Sequence, residues 1–208
     1  MKALWLLAPA LLGAPLAAQL AGGVQAVGYA VRQSTPADAS AQTGAMAGAE
    51  GRLSLGRYSL FVRGLSGRLS GTGLARDVRL TGIALRRPVV SWLAVGVEAE
   101  AQRRESDRDI ELWRLYGVGA TVHAGLGNAG LRAAGEVAWF PLTAQVASRP
   151  ISTAVRAEVG LGYAAPRWPI EAQLSYRFEE IGFSEGVDLR FGGVMVGVGV
   201  IFGRRGSR

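Results

Sequence analysis

The side chains that could do acid–base chemistry in this chain are one histidine and one close pair of glutamates. His123 is the only histidine, and a histidine beside an acidic group can serve as a general base. Glu98 and Glu100 lie two residues apart in a stretch of alternating hydrophobicity, so an extended strand would place their carboxylates on one face, about 7 Å apart. The chain contains no P-loop sequence and no metal-binding signature. We therefore expect a hydrogen-bonded histidine, ion-paired glutamates and no catalytic residue.

A second group of carboxylates lies in one charged stretch and could surround a divalent cation. Its members are Glu105, Asp107 and Asp109. Oxygen ligands suit Ca²⁺ or Mg²⁺, but the group lacks the regular ligand spacing of a calcium loop. The chain also has no cysteine for a thiolate site. We expect a solvated loop, with no metal and no cofactor.

The elements that would position these side chains must be built from short apolar runs. The chain has 208 residues, enough for one domain, and 49% of them are hydrophobic, but glycine or a charge interrupts every run. The net charge is +7, and Lys2 is the only lysine, so the positive charge is almost entirely arginine. The arginines are spread singly, without a basic helix or an aromatic platform, which argues against nucleic-acid binding.

The N-terminal segment reads as a secretory signal peptide. Residues 1–18 contain Lys2, an apolar run and a small-residue end, which predicts cleavage before Gln19 and a mature domain over residues 19–208. The alternative is an uncleaved anchor helix, for which the apolar run is short. Beyond it, the longest uncharged candidate for a helix, residues 115–131, contains five glycines. Any membrane insertion of the mature chain would therefore need a β-barrel.

The last stretch, residues 186–202, shows the strand signal most clearly. Valines at every second position from Val194 to Val200 share one face with Phe202, and the opposite face is mostly glycine. A period of two is typical of a strand. The apolar residues before Gly192 are out of phase with these valines, which predicts a bulge at Gly192-Gly193.

Nine further stretches give strand patterns, so we predict about ten strands. The ten are residues 23–33, 45–55, 58–67, 76–86, 90–102, 110–123, 131–140, 153–164, 170–179 and 186–202. The apolar phase slips within the fourth, which suggests a bulge near Gly82. Connections after odd-numbered strands are mostly longer and polar, and those after even-numbered strands are short, which is the pattern of outer-membrane barrels. Eight strands is the alternative if the first and fourth are not strands.

The non-apolar faces of these strands favour a barrel lumen over the surface of a soluble sandwich or a lipocalin-like cup. They carry charges of both signs, interleaved with mid-strand glycines that leave room for them. We predict a lumen charge network with a structural role from Glu50, Arg52, Arg63, Glu98, Glu100, Arg132, Glu136, Arg156, Glu158, Glu171, Arg177 and Arg190. Aromatics gather at strand ends as two girdles, which is the distribution expected at two membrane interfaces. The girdle on the long-loop side would comprise Trp113, Trp139, Phe140, Phe178 and Phe191.

With these features the chain resembles the bacterial outer-membrane β-barrel superfamily, in its small OmpA-like and related members. The resemblance covers nearly all of residues 23–202 and rests on the strand pattern. It implies an all-β, closed, antiparallel up-and-down barrel in the bacterial outer membrane, inserted by the barrel-assembly machinery. That machinery recognises a final strand ending on an aromatic, which Phe202 matches, although residues 203–208 follow it where the family usually stops.

The expected function is a non-enzymatic, integral outer-membrane component with a polar lumen occluded by Arg–Glu pairs. Its partners would be the lipid bilayer with its outer-leaflet lipid and, during insertion, the assembly machinery, and we expect a monomer. A small porin-like channel for polar solutes is the alternative, because a glycine-lined inner face could leave the lumen open. An outer-membrane lipid-modifying enzyme is a third hypothesis, which requires His123 near the outer rim.

Overall fold

The computed structural model describes residues 20–35, 38–71, 75–127, 130–146, 150–185 and 188–203. The predicted signal peptide, residues 1–18, and the C-terminal residues 204–208 lie outside the described residues.

Ten antiparallel strands form a closed barrel in which every strand pairs with its sequence neighbours and the first pairs with the last. The strands are β1 (Leu20–Thr35), β2 (Asp38–Leu55), β3 (Tyr58–Gly71), β4 (Arg76–Val90), β5 (Leu93–Glu105), β6 (Ile110–Gly125), β7 (Leu131–Val146), β8 (Ile151–Ala164), β9 (Ile170–Phe183) and β10 (Leu189–Gly203). No helix in the part of the chain that the structure describes is long and apolar enough to cross a membrane. The prediction of an all-β, up-and-down barrel with ten strands is confirmed.

The two edges of the barrel differ. The start of β1 and the end of β10 lie on the same edge, where Ala21 pairs with Gly203. This turn edge also carries the tight turns at residues 56–57 and 91–92, and Gly56 adopts a positive φ of 59°, which favours glycine. The opposite edge, which we call the loop edge, carries the connections after the odd-numbered strands.

The strands extend further toward the loop edge than the sequence predicted. They contain 13 to 18 residues, and residues 34–44, predicted to be a loop, belong mostly to β1 and β2. These residues are rich in Ser, Thr, Gln and Ala, a composition that also suits a strand with one face in water. The connections on the loop edge are correspondingly short, such as residues 106–109.

An apolar belt surrounds the outside of the barrel on the turn-edge side. On β10, Val194, Val196, Val198 and Val200 are 46–57% exposed, and matching rows lie on the other strands, for example Val155, Val159 and Leu161 of β8. The β8 row runs to Tyr163 over nine residues, which is about 26 Å along the strand and about 20 Å along the barrel axis at the usual tilt. That height fits the hydrocarbon layer of an outer membrane, so the belt is the lipid-facing surface.

The interior has two layers. At the level of the belt it is filled with charged and amide side chains, and nearer the loop edge it contains an apolar core. The core includes Tyr29, Leu65, Leu80, Trp113, Leu115, Phe140, Ile181 and Phe191, each no more than 7% exposed.

The core explains why apolar residues change face along a strand. Outward positions beside it include charged residues such as Arg79 and Arg114, so this part of the wall lies beyond the hydrocarbon layer of the membrane. In lipid the apolar side chains face out, whereas in water they face in. The phase slip in β4 is therefore a change of surroundings within one strand, because Leu80 faces in and Ile83 faces out.

The two predicted bulges are wrong for this reason. β4 keeps its register with both neighbours through Gly82, and β10 keeps its register through Gly192 and Gly193. Register shifts occur elsewhere, between Pro88 and Val90 and between Tyr116 and Val118.

The predicted aromatic girdle on the loop side needs the same correction. Trp139 and Phe178 face outward, but Trp113, Phe140 and Phe191 are at most 7% exposed and belong to the interior core.

Candidate functional site: the charged lumen

Arg156 on β8 is the centre of the charged layer. Its guanidinium contacts Glu98 and Glu100 of β5 and Glu136 of β7, with 2.8 Å between Nη1 and the Glu100 carboxylate. Glu98 and Glu100 alternate with outward-facing residues on one strand, which brings both carboxylates into the lumen. Phe140 lies against the same guanidinium, with its ring centroid 5.5 Å from the Arg156 Cζ.

Arg86 on β4 closes this cluster toward the turn edge. Its Nη2 is 2.8 Å from Glu98 and 2.8 Å from Glu136, and its Nη1 donates to the Thr121 hydroxyl. The guanidinium also stacks 4.8 Å from the centroid of Phe61. Glu98 and Glu136 are therefore each shared by two arginines, a geometry that compensates their burial.

Arg177 on β9 extends the cluster toward the loop edge. Its Nη2 is 3.0 Å from Glu100 and 2.8 Å from Glu179, and the side chain is only 1% exposed. Gln102 donates to Glu179 at 2.6 Å and to Glu100 at 3.1 Å, so it links the two carboxylates.

A second cluster continues across the lumen to the remaining strands. Arg63 of β3 contacts Glu50 of β2 and lies 3.1 Å from Glu158 of β8. Glu158 also accepts from Ser175 at 2.8 Å, and Gln25 donates to Glu50 at 2.7 Å. Nearer the turn edge, a looser pair joins Arg52 to Glu171 at 3.6 Å.

The apolar core above these clusters holds one buried arginine. The Arg104 guanidinium donates to the Gln33 amide oxygen and lies 5.1 Å from the Trp113 ring and 5.5 Å from the Phe191 ring. Its charge is balanced by Glu111, at 3.6 Å, which also pairs with Arg76 at 3.2 Å.

Together these side chains cross the lumen between β3 and β8 and between β5, β7 and β8. A cavity of about 60 Å³ remains beside the cluster, lined in part by Glu50, Arg63, Arg86 and Glu136. That volume is large enough for a few waters. Chemically, the arrangement neutralises buried charge and ties together strands that are distant around the wall.

The structure brings most of the predicted lumen residues together. Ten of the twelve join the two clusters or the looser pair, namely Glu50, Arg52, Arg63, Glu98, Glu100, Glu136, Arg156, Glu158, Glu171 and Arg177.

Two predicted members lie elsewhere. Arg190 faces outward and pairs with Glu180 on the outer wall at 3.2 Å, because β10 is regular and its inward positions are Leu189 and Phe191. Arg132 is exposed at the turn edge and forms no ion pair with another described residue, because it lies at the end of β7, below the charged layer.

The charged inward residues that the predicted site did not include are, among others, Arg86, Arg104, Glu111 and Glu179. Arg86 faces the lumen together with Ala84. The bulge predicted at Gly82 would have reversed the inward and outward positions that follow it, so Arg86 was not assigned to the lumen. Arg104 continues the alternation of Glu98 and Glu100, but the strand was expected to end at Gln102. Continuing the same alternation two residues beyond Gln102 identifies Arg104 as an inward residue.

The candidate chemistry of the sequence is not assembled into one site. His123 is exposed near the turn edge on β6, where its backbone N–H donates to the Trp92 carbonyl at 3.0 Å. Glu98 and Glu100 are neutralised by Arg86, Arg156 and Arg177. Among the described residues, no group of three His, Asp or Glu is arranged to hold a metal ion.

A closed antiparallel barrel with an apolar outer belt and a polar interior is the architecture of a transmembrane β-barrel protein. No family model and no curated protein matches the sequence. Solved structures of bacterial outer-membrane β-barrel proteins do match the fold.

One such structure is the outer-membrane protease OmpT from Escherichia coli. It has 8% sequence identity and a TM-score of 0.53, and the match covers 89% of this chain and 97% of OmpT. Neisserial surface protein A matches with 18% identity and a TM-score of 0.43, over 88% of this chain and 99% of that one. At 8% identity, the likeness to OmpT shows the fold alone. Fold and belt together support localisation in the bacterial outer membrane.

Proposed function

We propose that this protein is a sealed, non-enzymatic structural component of the bacterial outer membrane. The observation that carries the proposal is the lumen itself. Side chains from opposite walls of the barrel meet in the middle and neutralise one another, as Arg63 of β3 does with Glu158 of β8 at 3.1 Å.

Two barriers in series support a closed pore. The charged layer would have to lose several buried ion pairs before a solute could pass, and each broken buried pair costs about 3–5 kcal/mol. The apolar core nearer the loop edge adds a second barrier, since Trp113, Leu115 and Phe140 are each at most 2% exposed. The porin-like alternative needs a continuous aqueous path, which would have to pass both the buried ion pairs and the apolar core.

The non-enzymatic part of the proposal rests on where the acid–base groups lie. An outer-membrane lipid enzyme would need His123 near the outer rim, whereas it lies near the turn edge, beside the Trp92 carbonyl. The lumen carboxylates Glu98 and Glu100 each contact two arginines and are buried, which leaves them no contact with a substrate.

Insertion by the barrel-assembly machinery is also part of the proposal. Phe202 is 44% exposed on the outer face of β10, near the turn edge, where the assembly machinery could bind its side chain. Replacing it, Phe202→Ala, should lower the amount of folded barrel in outer-membrane fractions. Refolding of the same variant in detergent should be unchanged. A normal cellular amount would contradict this role.

Conductance in planar bilayers tests the sealed lumen. The purified, refolded protein should give no steady conductance, while a general porin measured in the same membrane gives open-channel steps. Large, steady steps from this protein would contradict the proposal and favour a channel for polar solutes. Size-exclusion chromatography with light scattering on the same sample tests the expected monomer.

A further inference from the structure

Arginines are concentrated on one side of the outer wall, above the apolar belt. Arg68 of β3, Arg79 of β4, Arg103 of β5 and Arg114 of β6 are exposed and face outward on four adjacent strands. We call these four residues the outer arginine patch. Arg68, Arg79 and Arg114 form no ion pair with another described residue, and Arg103 pairs only with Glu105 on its own strand, at 2.9 Å.

The register places two of these positive charges side by side. Arg79 and Arg103 are directly paired residues on β4 and β5, so their Cβ atoms are about 5 Å apart on the outer face. Arg114 pairs with Ala101, two residues from Arg103, and is therefore the diagonal neighbour of Arg103. Like charges opposite each other destabilise a sheet. An anion bound between them would remove that repulsion.

The patch also lies at a definite height on the wall. Tyr116 is two residues below Arg114 on the same outward face and is 43% exposed, and Ile83 is four residues below Arg79 and 50% exposed. Two residues of strand correspond to about 7 Å. The guanidinium groups therefore lie just above the lipid-facing belt, at the level of lipid headgroups.

The acidic residues near the patch lie on its loop-edge side. Asp77 pairs in register with Arg68, and a cavity at the loop edge is lined by Arg68 together with Asp77, Glu105, Asp107 and Asp109. Arg79 and Arg114 lie nearer the apolar belt and form no ion pair with another described residue. On the other side of the barrel, Glu180 of β9 lies near this height, and its charge is matched by Arg190 of β10.

We propose that the outer arginine patch binds the phosphate-bearing headgroup of a lipid in the outer leaflet. Guanidinium groups bind phosphate through paired, charge-assisted hydrogen bonds. A lipid is the occupant because the patch lies on the side wall and adjoins the belt, so a bound headgroup can keep its acyl chains against Ile83 and its neighbours. This inference depends on the placement of the barrel in the membrane and not on a sealed lumen. A conductance measurement that contradicts the sealed lumen would therefore leave the lipid-binding proposal intact, and the reverse also holds.

Binding of purified lipid A to the full chain in neutral detergent tests this proposal. The probes are bisphosphorylated lipid A, the same lipid after removal of its phosphates, and inorganic phosphate alone, each followed by native mass spectrometry and by the shift in Tm. Wild type should bind the bisphosphorylated lipid at least about tenfold more tightly than the dephosphorylated lipid, and high salt should weaken that preference.

Two variants with equal charge loss separate the patch from general basicity. The triple variant Arg79→Gln, Arg103→Gln, Arg114→Gln should lose the preference for phosphate. A control, Arg57→Gln, Arg87→Gln, Arg132→Gln, removes three exposed arginines near the turn edge and should keep it. A shift of gel mobility on heating checks that each variant is folded.

The single substitution Arg79→Gln should affect the Tm in opposite directions with and without bound lipid. Without lipid, Arg79→Gln should leave the Tm unchanged or raise it, because it relieves the repulsion with Arg103. With bisphosphorylated lipid A, the same variant should lose most of the ligand-induced rise in Tm. The proposal is overturned if both lipids bind equally, if the control variant loses binding as the triple variant does, or if inorganic phosphate alone reproduces the stabilisation.

Discussion

Replacing Arg156 by methionine removes the cation that three lumen carboxylates share. Methionine keeps an unbranched apolar stem of similar course but cannot donate to Glu98, Glu100 or Glu136. Each of these carboxylates keeps one arginine partner, since Arg86 remains beside Glu98 and Glu136, and Arg177 remains beside Glu100. The negative charges of the three carboxylates are therefore still partly neutralised in this variant.

The size of the effect follows from that count of partners. Breaking a buried ion pair from one side costs about 3–5 kcal/mol, and the remaining arginines place this variant near the lower end. About 3 kcal/mol corresponds to a fall in Tm of roughly 6–12 °C for a domain of this size. Adding Glu136→Gln to Arg156→Met should recover part of the loss, because it removes one of the carboxylates left short of a partner.

Thermal unfolding in dodecyl maltoside, followed by tryptophan fluorescence and by gel mobility on heating, measures this loss. The matched control is Arg132→Met, which removes an arginine that lies at the turn edge without an ion pair to a described residue. It should change the free energy of unfolding by no more than about 0.5 kcal/mol. If Arg156→Met is as stable as Arg132→Met, the lumen network does not stabilise the barrel and the reasoning is refuted.

Two further substitutions test the outer belt and the close contacts between strands. Val196→Arg places a charge in the belt and should cost about 2–4 kcal/mol of folding free energy in lipid vesicles, while Val196→Ala costs much less; equal costs would mean that Val196 does not face lipid. Gly193→Ala should destabilise the barrel, because its Cβ would collide with the carbonyl oxygen of Ala30. The control Gly28→Ala meets nothing within 4 Å and should be neutral or stabilising by about 0.4–1 kcal/mol; denaturant titration of both variants checks the difference.

The architecture could be predicted because alternation is a strong signal in a barrel wall. The segment from Val194 to Val200 has one face in lipid and the other in the lumen. Its apolar residues therefore recur at every second position without interruption. The same logic identified Glu98, Glu100 and Arg156 as inward residues, since each alternates with apolar neighbours on its strand.

What could not be predicted is where each strand leaves the bilayer. Above that level the rule for facing reverses, so Leu80, Trp113 and Phe191 face inward although the apolar residues lower on their strands face outward. The sequence records the change only as a slip in phase, which a bulge explains equally well. The register of the folded barrel decides between the two, and it shows unbroken strands at Gly82 and Gly192.

The central claim is that one regular final strand separates lipid from a filled interior. Since the chain has no cysteine, single cysteines can be placed one at a time along β10, from Arg190 to Phe202, and spin-labelled in lipid vesicles. We predict high accessibility to oxygen at even positions from Val194 to Phe202, low accessibility at odd positions, and a water-exposed label at Arg190. A scan without a period of two, or with its phase inverted at Gly192, would contradict it.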